Sequence, residues 1–183
     1  MAYVLLLPVA ALAAWAMLAF NRLVRLRNQA RTAWADVDVQ LQRRHDLVPS
    51  LVGAVQAYAG YESATLQAVS ELRAQALAQA RPAQLGEVET SLERELGRLI
   101  ALKEAYPELK ANQNFAQLQR DLVDVEEQLQ YARRFYNGAV RDYNDGTQRV
   151  PDAFIARAFG FKDAEFFQAE AGSRDAVEVE MSK

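Results

Sequence analysis

The sequence predicts an all-α protein, with an N-terminal transmembrane helix continuing into a long antiparallel helical bundle. Three observations predict it. Residues 2–20, AYVLLLPVAALAAWAMLAF, contain no charged side chain. Apolar residues beyond them recur every three or four positions rather than every second one, the period of a helix face. Prolines then punctuate these stripes near positions 82, 107 and 151, where helices are expected to begin or end. The expected organisation is an anchor at 1–20, a cytoplasmic bundle at 21–148, and a short C-terminal helix with a tail at 149–183.

At about 1.5 Å per residue the uncharged run reaches about 28 Å, close to the hydrocarbon thickness of a bilayer. Pro8 lies near its start, where a spanning helix tolerates proline. A secretory signal peptide is the competing reading, with Ala11-Leu12-Ala13 or Ala14-Trp15-Ala16 as cleavage sites. The start has no Lys or Arg, however, while Arg22, Arg25, Arg27 and Arg31 come after the run, and flanking positive charge tends to remain in the cytoplasm. The expectation is an uncleaved single-pass anchor, with the amino terminus outside and the body inside.

Charge divides along the chain. Residues 21–49 hold six Arg against Asp36, Asp38 and Asp46, so the remainder is acidic enough to bring the net charge to −3. A basic neck suits anionic headgroups, and Arg22, Arg25 and Arg27 are the candidate lipid contacts. Nothing in this distribution calls for a nucleic-acid partner. The absence of Cys excludes disulfides and thiolate chemistry.

The first body stripe is Leu23, Leu26, Ala30, Trp34, Val37 and Leu41. Pro49 is expected to kink it or to force a restart with Asp46 as N-cap, because proline lacks the N–H that the helix ladder needs. The stripe resumes through Val48, Leu51, Val55, Tyr58, Leu66, Val69, Leu72 and Ala76 until ARPAQLG, around Pro82 and Gly86. A third helix carries Leu85, Val88, Leu92, Leu96, Leu99 and Leu102 on one side and Glu87, Glu89, Glu93, Arg94 and Glu95 elsewhere. It stops near YPELKANQNF, where Asn112 or Asn114 is a natural N-cap for the next helix.

The fourth helix has the clearest pattern. Phe115, Leu118, Leu122, Val125, Leu129, Ala132, Tyr136, Ala139 and Tyr143 alternate spacings of three and four. In RRFYNGAVRDYN the two tyrosines therefore fall on the core seam, and Asn137 and Asn144 lie about 100° round from them, on a polar seam between helices or subunits. Asp145-Gly146 reads as a turn. Pro151 then opens PDAFIARAFGF, with Phe154, Ile155, Ala158 and Phe159 on one face, Gly160 ending the helix and Phe161 folding back. The alternating Val177, Val179 and Met181 fit a short strand or disorder.

The segment NRLVRLRNQARTAWADVDVQLQRRHDLVPSLVGAVQAYAGYE, together with AYPELKANQNFAQLQRDL and RRFYNGAVRDYN in that order, resembles the LemA family from Asn21 to Phe161. The resemblance implies a largely antiparallel helical body anchored in a bacterial cytoplasmic membrane. It implies no agreed biochemical activity: members are connected with membrane stress, with neighbouring membrane metalloproteases, or with magnetosome membranes. Gln42, Ser50 and Gly138 depart from the family's usual residues, and Gly138 is read as a mark of close packing.

Catalytic candidates are few. His45, in RRHDLVP, reads as a helix-surface His beside charges rather than an acid–base group. Asp36 and Asp38, two apart, point in different directions and cannot chelate together. No metal or other cofactor is expected, and no enzymatic activity. Gln40, Arg43, Arg44 and Asp46 are read as residues that fix helix register by pairing with the fourth helix, or else as an outward partner face. The aromatic cluster Phe154, Ile155, Phe159 and Phe161 is read as packed against the end of the bundle, the alternative being a short helix lying on the bilayer near the basic neck. The expected function is a membrane-anchored scaffold or adaptor acting through protein–protein contacts and self-associating as a homo-oligomer. The alternative is a regulatory or substrate-delivery partner of a membrane metalloprotease. A membrane-surface enzyme would instead need His45, Asp46 and Asn137 around one pocket.

Overall fold

A computed structural model describes residues 2–58, 63–79 and 81–167, with side chains for 7–58, 64–79 and 81–167. Among the described residues the chain is helical and has no strand. The helices are α1 (Ala2–Gln56), α2 (Ser63–Ala78), α3 (Pro82–Ala101), α4 (Pro107–Ala111), α5 (Gln113–Gln148) and α6 (Asp152–Ala158), with a 3₁₀ turn at Leu102–Glu104. Pro82 and Pro107 occupy first-turn positions, where their missing N–H costs no helix bond. Asn112 caps α5, its Oδ1 accepting from the Phe115 N–H at 3.1 Å.

The chain divides into two compact units, one of residues 1–42 with 126–166 and one built mainly of residues 43–125. In the first, α1 and α5 run antiparallel, because Trp34 meets Tyr136 while Leu23 and Leu26 meet Gly146 further along. Its interior is drawn from Leu23, Ala30, Ala33, Val37 and Leu41 on α1 and from Leu129, Tyr136, Ala139, Val140 and Tyr143 on α5. In the second, Val48, Leu51 and Val55 share one apolar core with Val69, Leu92, Leu96, Leu99, Leu109, Phe115 and Leu122. There α2 packs along α3.

Four expectations about helix boundaries and glycines are corrected. Pro49 does not restart the helix with Asp46 as N-cap: α1 continues to Gln56, and the break falls after it. The carbonyl that Pro49 leaves without an N–H is that of His45, four residues back, and Arg73 Nε donates to it at 2.8 Å. Gly86 is buried inside α3 rather than part of the break before it. Asp145-Gly146 is no turn, since α5 runs on to Gln148. Gly146 is instead the close-packing glycine, because a Cβ there would come within 2.9 Å of Leu26 Cδ1, whereas one on Gly138 would meet nothing within 4 Å.

The end of α6 is as expected. Gly160 has φ 68°, and the Phe161 N–H donates to the Ala156 carbonyl at 2.9 Å while Gly160 donates to Arg157 at 3.3 Å. These two bonds form a Schellman motif, which satisfies the last carbonyls of the helix. The expected strand at Val177, Val179 and Met181 lies outside the described residues.

Candidate functional site

Three arrangements of polar or aromatic side chains are built on this frame. The first is a carboxylate in the interior of the second unit. Leu85, Glu89, Leu92, Leu96 and Leu99 are buried on one side of α3, so Glu89 occupies a core position and is 0% exposed. Arg44, also 0% exposed, donates from Nη1 to Glu89 Oε2 at 2.8 Å and to the Glu89 carbonyl at 3.2 Å. His45 Nε2 binds the other carboxylate oxygen, Oε1, at 2.7 Å. Neighbouring residues of α1 thus grip both oxygens of one side chain on α3, and Arg73 from α2 holds the His45 carbonyl. A buried charge is tolerable only when paired and hydrogen-bonded, and this one is held in that way.

The surface reading of His45 is therefore overturned: it is buried and bonded to Glu89. The reading that sets Glu89 apart from the apolar stripe is overturned as well. Arg44, expected to look to the fourth helix, has its buried carboxylate partner on the third.

The second arrangement is a polar ladder between α5 and the extended segment 161–166. The Tyr143 hydroxyl donates to the Lys162 carbonyl at 2.9 Å and the Tyr136 hydroxyl to the Glu165 carbonyl at 2.7 Å. Thr147 Oγ1 donates to Asp163 Oδ1 and Gln148 Nε2 to Asp163 Oδ2, both at 2.8 Å. Asn144 bonds Ala164 twice: Nδ2 donates to its carbonyl at 3.0 Å, and Oδ1 accepts from its N–H at 2.8 Å. A carboxamide carries a donor and an acceptor side by side, so it can satisfy one residue's peptide groups as a neighbouring strand would. Burial pushes the Tyr136 hydroxyl up to about 12, with the Glu165 carboxylate adding to the effect. Burial also raises Tyr143, against a lowering by Arg27 and Arg31.

The third is a groove of about 340 Å³ between α1 and α5 in the first unit, lined by Asp36, Val39, Gln40, Gln128, Tyr131, Ala132 and Phe135. Tyr131 and Phe135 lie one turn apart and remain 63% and 54% exposed, and Val39 across from them is 56% exposed. Arg134 stacks over the Tyr131 ring at 4.8 Å.

The polar residues singled out from sequence do not form one site. Gln40 lines the groove, Arg44 is buried on Glu89, and Arg43 and Asp46 are exposed on α1. Asn144 binds the extended segment, and Asn137 is half-buried on α5. His45 and Asp46 belong to one compact unit and Asn137 to the other. Of the basic neck, Arg22 pairs with Asp152 at 3.1 Å, Arg27 lies over the Phe161 ring at 5.1 Å, and Arg25 is exposed. Among the described residues no group of three His, Cys, Asp or Glu side chains could hold a metal ion.

The fold and its sites define a class: helical proteins with one N-terminal helix long and apolar enough to cross a membrane, whose interior polar groups are directed at the protein's own backbone and side chains. The LemA family model matches residues 33–181, and the chain belongs to the LemA family. It is similar to magnetosome protein MamQ 2 and magnetosome protein MamQ 1 of Paramagnetospirillum magneticum, each 24% identical, over 88% of this chain and 69% of theirs. Magnetosome protein MamQ of Magnetospirillum gryphiswaldense is 22% identical, over 82% of this chain and 65% of its own length.

Proposed function

We propose that the protein is a membrane-anchored helical scaffold that works through protein–protein contacts and self-associates. The groove beside Tyr131 and Phe135 carries this reading. Rings this exposed, one turn apart on α5 outside its buried apolar stripe, are what a contact face presents, and aromatic residues are enriched at the centres of interfaces. The face has both a recess and projecting rings, so a second copy turned by a two-fold axis can place its rings in the recess.

Support for anchoring comes from the amino-terminal half of α1. Leu7, Leu12, Met17 and Leu18 stay exposed although the stretch is apolar, whereas the core helix of a globular domain would bury such residues. The arginines just beyond it favour a body on the cytoplasmic side.

The test is crosslinking in the native membrane, purification in mild detergent, and determination of mass and composition. An assembly of this chain alone supports the scaffold. Stoichiometric recovery of a membrane metalloprotease without self-association replaces it with the regulatory-partner reading.

A further inference from the structure

Phe20 ends the uncharged run of α1, and its ring packs edge-on against Phe159, centroid to centroid at 4.9 Å, and against Phe161 at 5.7 Å. These contacts fix the depth of α6: it lies beside α1 at the level where apolar sequence gives way to the basic neck. The Schellman turn at Gly160 brings Phe159 and Phe161 to this point, and the Arg22–Asp152 ion pair holds the start of α6 to the same part of α1. Yet packing does not cover the helix. Phe154 and Phe159 are each 63% exposed, and Val150, four residues before Phe154, is exposed as well.

Charge around these rings is predominantly positive. Residues 20–31 and 149–165 contain Arg22, Arg25, Arg27, Arg31, Arg149, Arg157 and Lys162 against Asp152, which pairs with Arg22, Asp163, which is bonded to Thr147 and Gln148, and Glu165. Exposed aromatic rings at the end of an apolar helix, ringed by cations, match the aromatic belt and anionic headgroup layer of a bilayer surface.

We infer that α6 is an interfacial helix, its Phe154 and Phe159 rings seated in the headgroup layer of an anionic membrane beside the exit of α1. This rests on the reading of α1 as a membrane span. The ion pair and the Phe20 contacts make α6 a bracket that fixes how the body meets the membrane surface.

The test uses the full chain, which has no native Cys. Ala158→Cys keeps every aromatic residue and takes a nitroxide label, with Ala14→Cys as the reference for the span and Ser50→Cys, exposed on α1 and outside the groove, as the reference for water. In vesicles containing anionic phospholipid, the label at 158 is expected to collide more with dissolved oxygen than with a water-soluble nickel complex, as the label at 14 does and that at 50 does not. Adding Phe154→Asp and Phe159→Asp should return the label at 158 to water. Immersion at 14 with a water-exposed label at 158 overturns the interfacial helix and leaves the anchor standing. Water exposure at both 14 and 158 overturns the anchor and this inference together. Protection at 158 from both reagents means a protein covers α6 and also overturns it.

Discussion

Arg73 Nε sits 2.8 Å from the carbonyl oxygen of His45, the acceptor left open four residues before Pro49. This bond satisfies the carbonyl that Pro49 leaves open as α1 runs through the proline. Removing Arg73 leaves a carbonyl with no helical donor, a loss of about 1–3 kcal/mol for a buried group. Arg73→Met should therefore destabilise the protein by that amount and raise amide exchange around Pro49. In a Pro49→Ala background, where the helix supplies its own N–H, the same change should cost less. Equal costs in both backgrounds, measured by urea unfolding monitored by circular dichroism, would contradict the pairing.

Glu89 holds Arg44 and His45 in the interior of the second unit. Glu89→Leu strands a buried guanidinium, with an expected loss of about 3–5 kcal/mol. Combining it with Arg44→Met replaces the pair by apolar side chains and should recover most of the loss, giving strong coupling in a double-mutant cycle. Additive losses would show that the two residues act separately.

The two glycines of α5 should respond oppositely. A Cβ on Gly138 meets nothing, so Gly138→Ala should stabilise by about 1 kcal/mol through helix propensity alone. Gly146 faces Leu26 and Leu23 at close range, so Gly146→Leu should destabilise by about 1–3 kcal/mol. Thermal melts of the two variants beside the parent check both signs.

Tyr136 supplies a pH test. Its hydroxyl is pushed up to about 12 in the folded protein, against about 10 for an unperturbed tyrosine. A raised value means that the neutral, folded form is favoured. The contribution is complete below pH 10 and is lost as pH rises through about 12. Ultraviolet difference titration of the parent against Tyr136→Phe should show a phenol ionising near 12. One ionising near 10 would show that the hydroxyl is not buried beside Glu165.

Asn144→Asp keeps the acceptor for the Ala164 N–H and loses the donor to its carbonyl, setting a carboxylate against a carbonyl oxygen. It should release the 161–166 segment, seen as faster proteolysis between Phe161 and Phe167 with the helix content of the body unchanged. Unaltered cleavage would place the hold on the segment elsewhere in the ladder.

Much of this fold is legible in the spacing of apolar residues. The three–four alternation that ends at Tyr136 and Tyr143 places both in the interior, where they are found. The same rule applied to Leu85 and Leu92 puts Glu89 between them on the buried side, but its charge argues for solvent and outweighs the spacing. Arg133 is a parallel case, since Leu129 and Tyr136 bracket a core position that the apolar pattern gives to Ala132. The rescue of Pro49 is not legible, because its donor comes from another helix and no local pattern announces it. The ladder along 161–166 is hidden for a different reason: half of its acceptors are backbone carbonyls, which have no signature in sequence.

Whether the exposed rings beside the α1–α5 groove join copies of this chain decides the scaffold reading. It is read from the assembly mass of the full chain in mild detergent, with and without Phe135→Asp. A defined oligomer is expected for the parent, with a shift to monomer for the variant at unchanged helix content. A parent that is already monomeric, or an oligomer that the added charge leaves intact, would refute self-association through this face.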